Sequence, residues 1–394
     1  MPPPTLELAD IFRQYGPAYR QAHDLPWHQH QLMQAIETCR TAALGGSVEW
    51  CDHCQYTHIV YRSCRNRHCP KCQGLARAKW LQQRNAELLP VEYFHVVFTV
   101  PESVAAIAFY NKEVVYDILF RVTAETLRTI ARDPQRLGVE IGWFAVLHSW
   151  GQNLHFHPHL HCVVPGGGLS PDHQRWIPGR RKFLLPVKVL SSRFRRLLLE
   201  ALEKAYAADQ LQFFGDLEGL RDPQAFARYL APLRKRKWVV YAKAPFGGPQ
   251  HVLEYLGRYT HRVAISNQRL RTLEDGQVSF EWKDYRDGQR QKVMTVSAQE
   301  FIRRFLEHTL PPGFQRIRYY GFLANCHRAD KLKLCRQLLA TPCSELLPRP
   351  SDYRDFYAAL TGRNLRLCPQ CGIGTMTVIE VLLPCQLPLR VDTS

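Results

Sequence analysis

Apolar positions along this chain change their period several times, and each change predicts an element. Leu6, Leu8, Ile11 and Phe12, then Leu32, Ile36 and Leu44 beyond Pro17, follow a helical spacing that Gly45-Gly46 stops. Residues 73 to 89 read as a further helix ended by Pro90. The run from Val91 to Val100, rich in β-branched and aromatic residues, predicts a strand. Helical patterns fill about 102 to 132. Residues 139 to 150 predict a strand and 157 to 165 its hairpin partner. Helices follow over 189 to 208 and 222 to 232, a strand over 237 to 243 and a helix over 249 to 260. Residues 262 to 297 are β-rich and polar, 298 to 340 mainly helical, and a Pro-rich, Cys-bearing tail closes the chain. The order predicts an α+β fold with a central antiparallel sheet, a helical N-terminal module and a mixed C-terminal region.

The predicted hairpin carries an unusual polar pattern. His155, His157, His159 and His161 alternate with other residues, and Cys162-Val163-Val164-Pro165-Gly166-Gly167-Gly168 follows. On a strand, His159 and His161 point to one side while Leu160 points to the other. Two adjacent imidazoles directed away from the core can hold a divalent ion. Alone, a His-apolar-His pair is more often ordinary surface or hydrogen-bonded core. The glycine run lacks the lysine and spacing of a phosphate-binding loop, so no ATP site is expected. We expect it to end a strand.

Thirteen cysteines, an odd number, accompany an N-terminus without a charged start or apolar signal core. A reducing, cytoplasmic setting is therefore expected, where C-x-x-C pairs read as metal ligands. Cys51-x2-Cys54 and Cys69-x2-Cys72 form two such knuckles, separated by 14 residues. These four are the expected ligands of a structural Zn²⁺, with Cys64, His53, His58 and His68 between them as substitutes or ligands of a second ion. A third knuckle, Cys368-x2-Cys371, could be completed by Cys343 and Cys385.

Charge narrows the class of partner. Lys and Arg number 52 against 35 Asp and Glu, a formal charge of +17, which favours a polyanion such as nucleic acid. No acidic residue occurs from Gln55 to Ala86, while Arg62, Arg65, Arg67, Lys71, Arg77, Lys79 and Arg84 do. A second block, Arg234-Lys235-Arg236-Lys237, precedes Trp238 and Tyr241, a combination suited to phosphate contact and base stacking. No apolar run is long enough to span a membrane.

Tyr255 and Tyr259 lie four apart on the predicted helix and would share one of its faces. Taken with the histidine strand and the cysteine knuckles, this pair resembles the HUH endonuclease superfamily, named for histidine, bulky hydrophobe, histidine. More closely, the chain is similar to the two-tyrosine rolling-circle transposases of bacterial insertion sequences. Four segments carry the resemblance: Ser63 to Gln73, His148-Ser149-Trp150-Gly151-Gln152, His157 to His161 with Pro165 to Gly168, and Tyr255 to Arg262. Their order and spacing fit from about residue 10 to 340; the last 50 residues match least.

The resemblance implies an HUH-type nuclease fold acting on single-stranded DNA at transposon ends. It implies that His159 and His161 hold one Mg²⁺ or Mn²⁺, with a third ligand from His148, Gln152 or His157, of which His148 is preferred. It makes Tyr255 and Tyr259 alternating nucleophiles that form a 5′-phosphotyrosine. Arg258 and Arg262 would steady the DNA backbone, as would Arg65, Arg67 and Lys71, while His261 could contact phosphate. The expected division is a zinc-binding module over 1–90, a catalytic domain over 91–270, an accessory region over 271–345 and a tail over 346–394. With no ATPase motif, strand displacement is expected to use a host helicase or replication machinery. A replication initiator or relaxase would share the metal and tyrosine parts. A zinc-dependent DNA-binding regulator would share neither chemistry.

Overall fold

The computed structural model describes residues 6–243, 251, 257, 264–284, 287–341, 354–355, 357–358, 362 and 364–385. Its helices are α1 (Leu8–Ala22), α2 (Trp27–Thr38), α3 (Gln73–Ala86), α4 (Glu102–Tyr110), α5 (Lys112–Arg132), α6 (Val187–Ala207), α7 (Pro223–Lys235), α8 (Ala298–Glu307) and α9 (Arg328–Leu338). The strands are β1 (Gly46–Cys51), β2 (Thr57–Tyr61), β3 (Tyr93–Thr99), β4 (Gly142–Trp150), β5 (Phe156–Pro165), β6 (Gly167–Leu169), β7 (Trp176–Pro178), β8 (Val240–Lys243), β9 (Leu270–Glu274), β10 (Gln277–Asp284), β11 (Arg290–Ser297), β12 (Ile317–Gly321) and β13 (Met376–Leu382). Mixed α+β structure with antiparallel sheets agrees with the expected class. No helix among the described residues is long and apolar enough to cross a membrane.

Two compact units divide the chain differently from the expected four parts. The first takes Met1–Gln82, His261–Leu306 and Leu346–Ser394; the second takes Gln83–Thr260 and Glu307–Glu345. Residues 271–306 thus group with the N-terminal module and the tail, and 307–345 with the central region.

In the first unit, α1 starts where the Asp10 carboxylate accepts the backbone N–H of Glu7 at 2.9 Å, satisfying a donor at the helix start. Its apolar face buries Leu8, Ile11 and Phe12, and Phe12 meets Phe305 of α8 edge-on with ring centroids 5.5 Å apart. Two three-stranded antiparallel sheets complete the unit, ordered β13-β1-β2 and β11-β10-β9. The β13 strand was not legible in the tail. It pairs with β1 from Gly46↔Leu382 to Cys51↔Met376, across a register shift at Val48/Glu49.

The second unit is built on a five-stranded antiparallel sheet ordered β12-β4-β5-β3-β8. One face of it, carrying Phe94, Val96, Phe98, Ala145, Leu147, Leu160, Cys162 and Val164, joins the core formed with α4, α5, α6 and α7. The run 298–340 had been expected to be mainly helical, yet β12 pairs with β4 along Ile317↔Val146 to Gly321↔Gly142. The glycines after β5 serve close backbone packing: a Cβ on Gly168 would lie 2.4 Å from the Glu140 carbonyl oxygen, and one on Gly166 3.0 Å from that of Glu92. That crowding requires glycine at both positions.

Candidate functional site

Strand alternation puts Leu160 and Cys162 into the core and leaves His159 and His161 on the opposite sheet face. Register then decides what joins them. In β4, His148 stands directly across from His159 and Val146 across from His161. In β3, Val97 pairs with His161 and His95 with Val163, so His95 reaches His161 diagonally. The register shifts between His148 and Trp150, and Pro158, which has no N–H to offer the ladder, falls within that irregularity.

The ligand nitrogens of His148, His159 and His161 all lie within 4.8 Å of one another. Each imidazole is oriented. The Nδ1–H of His159 donates to the backbone oxygen of His157 at 2.7 Å, which leaves Nε2 as the nitrogen that could coordinate a metal. His161 Nδ1 is 2.7 Å from His95 Nε2, and the two rings stack with centroids 5.0 Å apart. If His161 coordinates through Nε2, its Nδ1 carries the proton and donates to His95. The Trp150 ring stacks on His148 at 5.1 Å. Beside this group, His308 is buried with its Nε2 3.0 Å from the Leu154 carbonyl oxygen, in the turn between β4 and β5.

Burial sets the protonation state. It pushes the His159 imidazole down to about 4, helped by neighbouring His157, and holds His161 well below its ordinary range, helped by His148 and His159. His95 is likewise lowered to about 4 by burial, with Lys243 adding to it. These rings are neutral near pH 7, the form that offers a lone pair to a metal. Of the three rivals for third ligand, His148 is in the cluster and His157 is not; Gln152 lies in the turn between the strands.

The structure does not bring Cys51, Cys54, Cys69 and Cys72 together, which corrects the expected zinc set. Cys69 and Cys72 instead meet Cys39 and Cys64, while Cys51 and Cys54 lie with Cys368 and Cys371. Backbone pairing separates the two knuckles. Cys51 ends β1, where β13 draws the tail alongside, whereas the Cys69–Cys72 turn packs against Cys39 at the C-terminus of α2. In the Cys39 cluster, Sγ–Sγ distances are 3.5 Å for Cys39–Cys72, 3.6 Å for Cys64–Cys72 and 3.6 Å for Cys39–Cys69. A tetrahedral Zn²⁺ with ~2.3 Å bonds requires edges of about 3.8 Å, so the four thiols fit that ion. His53, His58 and His68 join neither cluster. Cys39 carried no sequence signal, being a lone cysteine at a helix end; His95 lay in a recognised strand but gained its role only from register.

The expected DNA contacts fare differently from one another. Arg65 is exposed and Arg67 half-buried, whereas Lys71 is engaged in an ion pair with Glu7. Lys235, Arg236 and Lys237 are exposed beside a half-exposed Tyr241. Trp238 is not a stacking platform: it is buried, and its Nε1–H donates to the Leu233 carbonyl at 3.1 Å. Tyr255, Arg258, Tyr259, His261 and Arg262 lie outside the described residues, as does Cys343.

Comparison with known proteins places the same two regions in context. Residues 142–331 match a family described as "Putative transposase", and residues 11–100 match the IS91-type "Transposase zinc-binding domain". "Putative transposase y4qJ" of Sinorhizobium fredii (strain NBRC 101917 / NGR234) is 64% identical over 378 residues, 95% of this chain and 95% of that protein. "Transposase for insertion sequence element IS801" of Pseudomonas savastanoi pv. phaseolicola is 29% identical over 290 residues, 73% of this chain and 68% of that one. Among solved structures, the conjugative relaxase TrwC in complex with OriT DNA, in a metal-free form, shares 14% identity over 64% of this chain and 74% of that one. Its TM-score of 0.24 is too low to carry an argument.

Proposed function

Because the chain belongs to the transposases that carry an IS91-type zinc-binding domain, we propose that it cuts and transfers one strand of transposon-end DNA through a tyrosine nucleophile. The observation that carries this reading is the face of imidazoles at His148, His159 and His161. These three side chains would hold a divalent ion, which would supply Lewis-acid polarisation of the scissile phosphate. No carboxylate joins the cluster among the described residues, and an all-imidazole set suits Mn²⁺ better than Mg²⁺, which prefers oxygen ligands.

The remaining chemistry falls to the chain. The phenolic oxygen of Tyr255 or Tyr259 bonds to phosphorus, and the phosphorus–O3′ bond breaks. The electron pair leaves with O3′, which takes up a proton as a free 3′-hydroxyl, while the phenolic proton passes to solvent. The phosphotyrosine conserves the phosphodiester energy, so a second 3′-hydroxyl can reverse the step without ATP. Two tyrosines would let one protein hold two 5′ ends, with Tyr255 making the first cut. Arg65, Arg67, Arg258 and Arg262 would neutralise the DNA backbone, and unwinding would come from a host helicase or the replication machinery.

Labelled single-stranded DNA bearing candidate transposon ends, incubated with the protein and Mn²⁺, should yield a covalent protein–DNA adduct. Changing both tyrosines, Tyr255→Phe and Tyr259→Phe, should abolish it and leave DNA binding intact; a surviving adduct would mean another nucleophile. Absence of any adduct across all end sequences would favour a DNA-binding regulator that does no chemistry.

A further inference from the structure

We infer that Cys51, Cys54, Cys368 and Cys371 form a second zinc site, one that staples the tail of the chain to its N-terminal module. Two of its ligands lie outside residues 11–100, the extent of the zinc-binding family match. The partner cysteines are 314 and 320 positions apart in sequence, yet the Sγ atoms of Cys54 and Cys368 are 3.6 Å apart and those of Cys51 and Cys371 3.8 Å. These distances are the edges of a tetrahedron around an ion bonded at ~2.3 Å to each sulfur, about 3.8 Å. All four are free thiols.

The surroundings are built for thiolates. Backbone N–H groups point at three of the sulfurs: Cys54 N to Cys51 Sγ at 3.5 Å, Gln370 N to Cys368 Sγ at 3.4 Å and Gly374 N to Cys371 Sγ at 3.3 Å. Such donors offset the negative charge that four thiolates bring to one ion. Gly374 is required by the crowding, since a Cβ there would lie 2.4 Å from Cys51 Sγ. The two knuckles face each other because β13 pairs with β1 and because Leu367 and Thr375 bridge the turn that holds the second pair. Cys51 and Cys368 are buried, together with Met376, as a small cluster of their own. Four thiolates at the corners of a tetrahedron suit Zn²⁺.

Closure of so long a loop by a metal gives the site a structural role: it ties the Cys368–Cys371 turn to the end of β1. Cys385, considered from sequence as a possible ligand of this knuckle, is exposed and outside the cluster.

The test counts zinc in the full-length chain, in a His159→Ala, His161→Ala background so that the histidine face adds no ion. Two zinc ions per chain are expected after dialysis. Cys368→Ser with Cys371→Ser should leave one, Cys64→Ser with Cys72→Ser should leave one, and Cys385→Ser should leave two. In cobalt-substituted protein, the sulfur-to-cobalt charge-transfer intensity should halve in each double variant. Should a double variant fail to fold, alkylation of the parent chain answers the same question. Cys51, Cys54, Cys368 and Cys371 should resist iodoacetamide together and become reactive together once a chelator is added. A single zinc in the parent chain, unchanged zinc on loss of Cys368 and Cys371, or free alkylation of those four without chelator would overturn the inference. None of these outcomes depends on DNA cleavage, so the result is independent of the proposed activity.

Discussion

Acidification should unfold this protein in part through His308, a residue that holds the turn behind the histidine face. Burial pushes its imidazole from 6.5 down to about 3, with Lys112 and His155 adding to the shift against the opposing hydrogen bond to Leu154. A base whose folded pKa is depressed leaves the unfolded chain to bind the proton first. Stability from His308 is therefore intact above its ordinary value of 6.5 and drains away as the pH falls toward 3. At about pH 4.5, two units below the unfolded value, the loss is about 2.7 kcal/mol, at ~1.36 kcal/mol per unit. The comparison is His308→Gln, whose amide can still donate to the Leu154 carbonyl but does not titrate. Urea unfolding followed by tryptophan fluorescence, at about pH 7 and about pH 4.5, should show wild type losing about 2.7 kcal/mol more than the variant. Zinc release and carboxylate protonation affect both proteins alike and cancel in the difference. Equal losses in the two proteins would refute the reasoning, because the proton uptake would then lie elsewhere.

Two further perturbations test the framework of the same unit. His95→Ala should weaken Mn²⁺ binding by roughly 10- to 100-fold in calorimetric titration, because His161 loses the partner that fixes its tautomer; unchanged affinity would mean that His95 merely packs. Gly321→Ala should destabilise by at least about 2 kcal/mol in chemical denaturation, since the residue has φ +57 and an added Cβ would collide with the Ile141 carbonyl oxygen where β12 meets β4; a smaller cost would show that the edge strand shifts to make room.

The histidine hairpin was the most legible part of the fold. Its alternation carries the strand period directly, and β4 and β5 pair as the pattern required, with His148 opposite His159. β12 was missed because five half-buried residues, Ile317 to Gly321, give too short a pattern to separate from a helical neighbourhood; the edge of β4 recruits it. Base stacking at Trp238 failed for a similar reason. A tryptophan beside a basic run looks the same in sequence whether it faces DNA or, as here, the core.

Residue type and short-range spacing settled the chemistry available to this chain: imidazoles sharing one strand face, thiols in tight knuckles, an excess of positive charge. The first two depend on neighbours two or three positions away, within reach of local geometry, and the third on composition alone. Which donors share an ion was decided at long range. β13 lies on β1, so Cys51 finds Cys371 across 320 positions instead of Cys69 nearby. β3 lies beside β5 in one register, so His95 touches His161. Alternation shows which face of a strand is buried but not which distant strand it pairs with, and a slip of one residue in β3 would have turned His95 to the other face.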